Sequence, residues 1–373
     1  MFLALATVFF LLIYAGLIFY YYWHWKQLAV FVPQKRYPRT KVSVLIAARN
    51  EAQTLPHLLK TLAGQTYPPH LFEVIVVDDF STDDTWNVVK PFVTDRIKLI
   101  RPNADAARSS KKKAIETGIK NAGGELMIIT DADCLPAAQW IETIAAFYEQ
   151  KGAVFIAAPV RFTHNHSLLQ IFQALDFITL QGITAASVQA QFHTMCNGAN
   201  LSYTKEAFLK VDGFAGIDKV ASGDDMLLMH KIWKGDKSRV HYLKSDAAIV
   251  STEPMKTWKD FFNQRKRWAS KTAYYDDKRV FVVLLFIYVF NCFFIALIVA
   301  SFFHTAYWLL VALYLVVKTS VEAVFVSSVA AFYKEKKLLP YFPFLQPLHI
   351  LYTISTGFIS QWGRYEWKGR KTK

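Results

Sequence analysis

Two aspartates one residue apart, Asp131 and Asp133, follow the apolar run Leu126–Ile129. On extended backbone, residues i and i+2 project to the same face, so these carboxylates can converge on one hard divalent cation. Mg²⁺ and Mn²⁺ take oxygen ligands and keep positions open for phosphate oxygens. Such a triplet means little in a loop and gains weight at the end of a buried strand. A second acidic pair, Asp224-Asp225, follows Gly223. It reads either as a solvated helix cap or as a general base for an acceptor hydroxyl that loses its proton while attacking. A third cluster is Gln264-Arg265-Lys266-Arg267-Trp268. It reads either as headgroup contact or as a phosphate and sugar site, because Arg can hold phosphate oxygens through paired donors and a Trp face can stack on a sugar ring.

These groups need a scaffold. Apolar runs at Val42–Ile46, Phe72–Val77, Ile97–Ile100 and Leu126–Ile129 alternate with helical patterns over Glu51–Leu62, from Asp83, and over Lys111–Lys120. Strands alternating with helices predict parallel βαβ units and an α/β sheet covered on both faces. Ligands of such sheets sit beyond the carboxyl ends of the strands. The runs end there in Ala47-Ala48-Arg49-Asn50-Glu51, Asp78-Asp79-Phe80-Ser81 and Asp131-Ala132-Asp133.

The bulk composition points to a membrane. Of 373 residues, 53% are hydrophobic and 16% aromatic, too apolar for an ordinary soluble enzyme. Phe2 to Trp23 carries no charge, and a helix needs about 20 residues to cross the hydrocarbon core. The run lacks a basic n-region and a following cleavage site, so it reads as a retained anchor. Tyr20, Tyr21, Tyr22 and Trp23 form an interfacial belt, and Lys26, Lys35, Arg36, Arg39 and Lys41 follow it. That places the N-terminus outside and the next domain in the cytoplasm. The expected division is an N-terminal transmembrane helix over 1–26, a cytoplasmic catalytic domain over 41–278 and two transmembrane helices within 279–333, with an interfacial or re-entrant segment and basic tail over 334–373. Lys318 and Glu322 fall inside the second of those helices, where charge is costly. They read as a structural ion pair or as a polar wall along an acceptor path. Residues 338–363 contain Pro340, Pro343 and Pro347, with Lys334, Lys336 and Lys337 before them and Arg364, Lys368, Arg370, Lys371 and Lys373 after them or at their end. Basic flanks on both sides favour a re-entrant or interfacial segment over a further span.

The net charge of +14 suits anionic headgroups or an anionic small substrate such as a diphosphate. No nucleic-acid motif accompanies it, so nucleic acid is not expected as a partner. Cys134, Cys196 and Cys292 form no zinc or disulfide pattern. Cys134 reads as packing. His164 and His166 lack an evident third ligand and read as surface residues.

Seven segments carry a family resemblance: AARNE at 47–51, VVDDFSTDDT at 76–85, KKKA at 111–114, TDADC at 130–134, NGANLSY at 197–203, GDD at 223–225 and QRKRW at 264–268. Together, and in this order, they resemble the membrane-bound branch of the family 2 glycosyltransferases, with its DxD and QxxRW motifs, over about Val42 to Trp268. The resemblance implies a GT-A fold, a Rossmann-like sheet that binds a nucleotide-diphosphate sugar, with a UDP-sugar as the expected donor. It places Glu51 and one of Asp78 or Asp79 at the base and ribose, with Ala48 and Arg49 in the same donor-binding set and Lys113 near the nucleotide. Asp131 and Asp133 would hold Mg²⁺ or Mn²⁺ and the diphosphate. Asp225 would be the catalytic base, with Asp224 in the acidic position before it. Gln264 and Arg267 would lie by the diphosphate and Trp268 at the acceptor sugar.

The implied enzyme is an inverting, metal-dependent hexosyltransferase of a multi-pass cell inner membrane protein, working by direct displacement on a membrane-associated acceptor. A lipid is the favoured acceptor. Processive synthesis of an exported polysaccharide is the alternative, and an inactive scaffold with the same fold is the non-enzyme alternative. Ala47 stands where the family often has Pro, and Asp224 where it often has Glu. The few spans make a long translocation channel unexpected.

Overall fold

The computed structural model describes residues 2–34, 37–103, 110–165, 167–218, 223–269 and 277–359, and the backbone alone of 365–367 and 370–372. Lys35, Arg36, His166, Arg364, Lys368 and Lys373 lie outside the described residues.

The chain begins with α1 (Phe2–Gln27). The sheet region runs β1 (Val42–Ala48), α2 (Leu55–Ala63), β2 (Phe72–Asp78), α3 (Thr85–Val89), β3 (Ile97–Ile100), α4 (Lys111–Asn121), β4 (Leu126–Asp131), β5 (Leu135–Pro136), α5 (Trp140–Lys151), β6 (Phe155–Ala157) and β7 (Val160–Phe162). It continues through α6 (Leu168–Gln189), β8 (Leu201–Thr204), α7 (Lys205–Lys210), α8 (Met226–Gly235), β9 (Val240–Tyr242), β10 (Val250–Thr252) and α9 (Trp258–Ala269). Three helices close the described fold: α10 (Lys278–Ser301), α11 (Tyr307–Phe332) and α12 (Phe342–Ile359).

The main sheet has the order β3-β2-β1-β4-β8-β6-β9. The first four strands are parallel. The other half is mixed, because β8 is antiparallel to both β4 and β6. This strand returns from the long helix α6 and a loop, so it enters the sheet from the opposite end. A small second sheet, β5-β10-β7, lies beside the first. The strands outrun their apolar cores: Asp78 and Asp131 are the last residues of β2 and β4. Alternation sends Leu45, Ile75, Val77, Met127 and Ile129 to one face, with Ala114, Ile115 and Ile119 of α4. It sends Val44, Ile46, Val74, Val76 and Ile128 to the other, with Leu55, Leu59, Trp140 and Ile144 of α2 and α5. Sheets covered on both faces need such strands, apolar on both sides.

The first of these clusters continues without a break through Phe172, Leu175 and Ile178 of α6 to Tyr14, Phe290 and Phe325. Sheet and apolar helices therefore share a core. Four described helices are long and apolar enough to cross a membrane: α1, α6, α10 and α11. α6 is largely buried and packs against α1 and α11. Its contact with α11 depends on Gly182, where a Cβ would stand 2.5 Å from a Val329 methyl and 2.9 Å from the Phe325 ring. Overpacking of this kind typically costs about 1–3 kcal/mol. Gly182→Val is expected to lower the melting temperature of the detergent-solubilised protein, while Gly16→Val, at a position with nothing within 4 Å of a built Cβ, leaves it nearly unchanged.

Candidate active site

The loops after β1 and β2 interlock. Asn50 and Phe80 both have φ 55°, a region that a bulky residue such as Phe rarely enters. The Arg49 guanidinium holds the turn by donating from Nη1 to the carbonyls of Asp79 (2.7 Å) and Phe80 (3.1 Å). Asn50 N donates to Ser81 Oγ, and Thr82 N donates to Asn50 Oδ1. Asp78 is fully buried and accepts from Ser81 N and from Arg101 Nε at 2.8 Å. Asp79 is buried beside it, its amide donating to the Ala48 carbonyl. Glu51 accepts from Thr54 Oγ1 at 2.8 Å, and its amide donates to Thr85 Oγ1. Ala48, Arg49, Glu51, Asp78 and Asp79 thus form one rim at the carboxyl ends of β1 and β2.

Asp131 closes β4 in register with Ala47. Lys111 Nζ lies 2.7 Å from Asp131 Oδ1 and 3.2 Å from Asp224 Oδ2. Burial alone would push the Lys111 ammonium down. The carboxylates of Asp131, Asp224 and Asp225 outweigh it and hold the group well above its ordinary value. Asp225 caps α8, accepting from Met226 N at 2.8 Å through Oδ1 and from Gly198 N at 3.1 Å through Oδ2. Gly198 sits so close that a Cβ there would meet Lys111 Nζ at 3.1 Å and both Asp224 and Asp225 carboxylates at 3.6 Å. The segment around it is fixed from both sides: Thr130 Oγ1 donates to the Ala199 carbonyl, and the buried Asn200 accepts from Trp140 Nε1 and donates to the carbonyls of Pro159 and Ala248. Asp131, the acidic pair and the Asn197-Gly198 turn are therefore one constellation around Lys111.

Lys113, expected near the nucleotide, does not join the group around Lys111. Its Nζ pairs with Glu116 at 3.2 Å on the exposed side of α4. Two residues along a helix rotate a side chain by about 200°, and with Ser110 as the N-cap it is Lys111 that faces the carboxylates, while Lys112 is buried against the Ile217 carbonyl. Asp133 lies on the turn after β4 and accepts from Cys134 Sγ at 3.8 Å. Cys134 is fully buried, and burial together with the two neighbouring carboxylates pushes its thiol well up, which suits packing and not nucleophilic chemistry.

α9 carries the Gln264–Trp268 cluster. The motif points to Arg267, and the structure adds Arg265, the arginine of this helix that is buried. Arg265 is 2% exposed, pairs with Asp176 of α6 at 2.7 Å and lies 4.3 Å over the Trp268 ring. Trp268 also packs on Phe177, ring centroids 6.1 Å apart. Gln264 Oε1 is buried without a hydrogen-bond partner. At the far side of the site, Asp277, the cap of α10, accepts from Thr194 N at 3.2 Å and from Arg279 Nε at 2.8 Å. This ties the first turn of an apolar helix to the segment that leads into Asn197 and Gly198.

A cavity of about 810 Å³ begins beside Asn197, Asp225 and Trp268 and reaches Tyr14, Tyr288 and Phe325 among the apolar helices. It joins the acidic constellation to the interior of the helical layer.

Residues 43–210 match the family model described as "Glycosyl transferase family 2". A probable glycosyltransferase YdaM of Bacillus subtilis is 29% identical over 63% of this chain and 56% of its own length. The glycosyltransferase AglE of Haloferax volcanii is 31% identical over 33% of this chain and 40% of its own length. The chain thus spans little more than half of the first of these relatives and less of the second. A mannosyltransferase from Pyrobaculum calidifontis, solved with GDP-Man and Mn²⁺, superposes with a TM-score of 0.61 at 19% identity, covering 96% of this chain and 99% of that one. Residues 43–210 are thus similar to the family 2 glycosyltransferases, and the fold is a GT-A-like mixed α/β sheet.

Proposed function

We propose that the chain transfers a sugar from a nucleotide-diphosphate sugar directly to a lipid acceptor, inverting the anomeric carbon. The reading rests above all on the cavity that joins Asp225 and Trp268 to Tyr14, Tyr288 and Phe325. An acceptor with an apolar tail could reach the acidic constellation along it without leaving the layer of apolar helices.

In this reading Glu51 and Asp79 take the base and ribose, with Ala48, Arg49 and Asp78 shaping that rim. Gln264 and Arg267 lie by the diphosphate, where a cationic donor set offsets the charge that develops on the leaving group. Trp268 faces the acceptor. Asp225 accepts the acceptor's proton, and Asp224 with Lys111 keeps the carboxylate pair in place. The QxxRW and DxD segments take these roles as the membrane-bound branch of the family uses them.

Among the described residues no group of three or more His, Cys, Asp or Glu is arranged to hold an ion. Asp131 and Asp133 nonetheless present hard carboxylate oxygens, and Asp131 already attracts an ammonium at 2.7 Å. This donor set fits Mg²⁺ or Mn²⁺ completed by substrate phosphates. Such an ion would be held by Asp131 and Asp133 and would neutralise diphosphate charge. Chelation is therefore expected to lower turnover at least about 10²-fold, with recovery on adding Mn²⁺ or Mg²⁺. Full activity in excess chelator would remove the metal from this account.

In this reading the catalytic domain lies on the cytoplasmic side of a multi-pass protein of the cell inner membrane, supported by Lys26 in the last turn of α1 and by Arg39 and Lys41 after it. The deciding experiment incubates the purified full chain with a panel of nucleotide sugars, UDP-sugars first, and extracted lipids. A single sugar added to a lipid supports the reading. A ladder of water-soluble oligomers overturns it in favour of processive synthesis.

A further inference from the structure

We propose that the acceptor is an uncharged glycerolipid that presents a hydroxyl, and that the cavity rejects a lipid phosphate. The inference rests on the cavity being the acceptor path, and it adds the chemical class of the acceptor.

The charges in the wall decide the matter. Among the described residues that line the cavity, Asp176, Asp225 and Glu322 bring carboxylates, and Arg265 brings the one fixed cation. Its charge is offset by Asp176 at 2.7 Å. Glu322 is matched by Lys318 Nζ at 2.7 Å, and Gln346 bridges the two by accepting from Lys318 and donating to Glu322. Tyr14 OH also donates to Glu322. The cation beside Asp225, Lys111, is shared among Asp131, Asp224 and Asp225. The wall is thus balanced or negative along its length. Among the described residues of the wall, a phosphate in this low-dielectric space would face carboxylates while the Arg265 charge is already matched by Asp176, and like charges so placed discriminate strongly against a ligand.

The same wall suits neutral oxygens. The Arg265 guanidinium is held face-on by Trp268 at 4.3 Å, Phe261 at 5.1 Å and Tyr352 at 5.8 Å. Its Nε and Nη1 are buried and have no hydrogen-bond partner. Buried donors without acceptors are costly, and an ester carbonyl or a hydroxyl oxygen would satisfy them without adding charge. Hydroxyls both donate and accept, which matches a wall holding guanidinium, carboxylate and amide groups together.

The chemistry at Asp225 agrees. The acceptor oxygen forms a bond to the anomeric carbon. The bond from that carbon to the diphosphate oxygen breaks, and its electron pair leaves with the nucleotide diphosphate. A hydroxyl acceptor must also give up its proton, and Asp225 takes it. A phosphate monoester, with its second pKa near 6, is already anionic at neutral pH and needs no base.

The test uses the full-length protein in mixed micelles with its nucleotide-sugar donor. Diacylglycerol and a monoglycosyl diacylglycerol are compared with a long-chain polyprenyl phosphate, and the readout is the ratio of kcat/KM for the neutral lipid to that for the phosphate lipid. We expect the ratio to favour the neutral lipid at least about tenfold, and Asp176→Asn to shift it toward the phosphate by about tenfold as one carboxylate is removed. A ratio cancels any loss of folded protein. Glu322→Gln removes a different carboxylate and serves if Asp176→Asn does not fold. Equal or better use of the polyprenyl phosphate, or a ratio that neither variant moves, overturns the proposal while leaving a lipid acceptor in place. Sugar transfer to soluble oligosaccharides with none to either lipid overturns the lipid path itself.

Discussion

Asp225→Asn is expected to lower kcat by roughly 10²- to 10⁴-fold, the usual worth of a positioned general base, with donor affinity close to that of the parent. Asn is as good an N-cap as Asp, so α8 keeps its cap to Met226 N. The structural losses are the attraction of its charge to Lys111 and the bond at Oδ2, which accepts from Gly198 N and would be replaced by a donor if the amide kept the rotamer. Circular dichroism and nucleotide binding by calorimetry would separate that effect from lost chemistry. Retention of full turnover would show that another group takes the proton.

The second large effect is expected at Lys111. Lys111→Met removes the cation between Asp131 and Asp224 and leaves carboxylates facing one another. Breaking a buried pair costs about 3–5 kcal/mol, discounted here to ~2 kcal/mol because Asp131 is more than a third exposed. Thermal unfolding should show a clear loss, and turnover should fall with it. Lys113→Met, on the outer side of the same helix, should leave both nearly unchanged, since surface pairs are worth about 0–1 kcal/mol. Equal effects from the two substitutions would contradict the placement of α4.

The comparison of these two lysines also shows how far sequence reading could go. The four parallel strands were legible because each apolar run ends in charged or polar residues, and that edge is where Asp78 and Asp131 stand. Three consecutive lysines carry no such edge. Only the helix phase, set by the Ser110 cap, sends Lys111 to the carboxylates, Lys112 to the Ile217 carbonyl and Lys113 to the outer side. Arg265 was hidden for a similar reason. A basic run beside a membrane resembles a solvated face, and the partner that buries it, Asp176, lies on α6, a helix with no strong amphipathic stripe. A helix surrounded on most sides loses the periodic signal that betrays one with a single buried face. The start of α2 was read too early. Glu51 to Thr54 instead form a turn, with Leu55 N donating to the Glu51 carbonyl and Thr54 Oγ1 donating to the Glu51 carboxylate.

The link from Asp277 to Thr194 bears on how the enzyme should be handled. A fragment that ends before Asp277 would dissolve more readily in water, yet it would lose the carboxylate that anchors the residues leading to Gly198 and so to Asp225. Turnover measured on such a fragment would understate the native rate, and the shortfall would reflect a slackened hinge of the active centre more than any missing lipid.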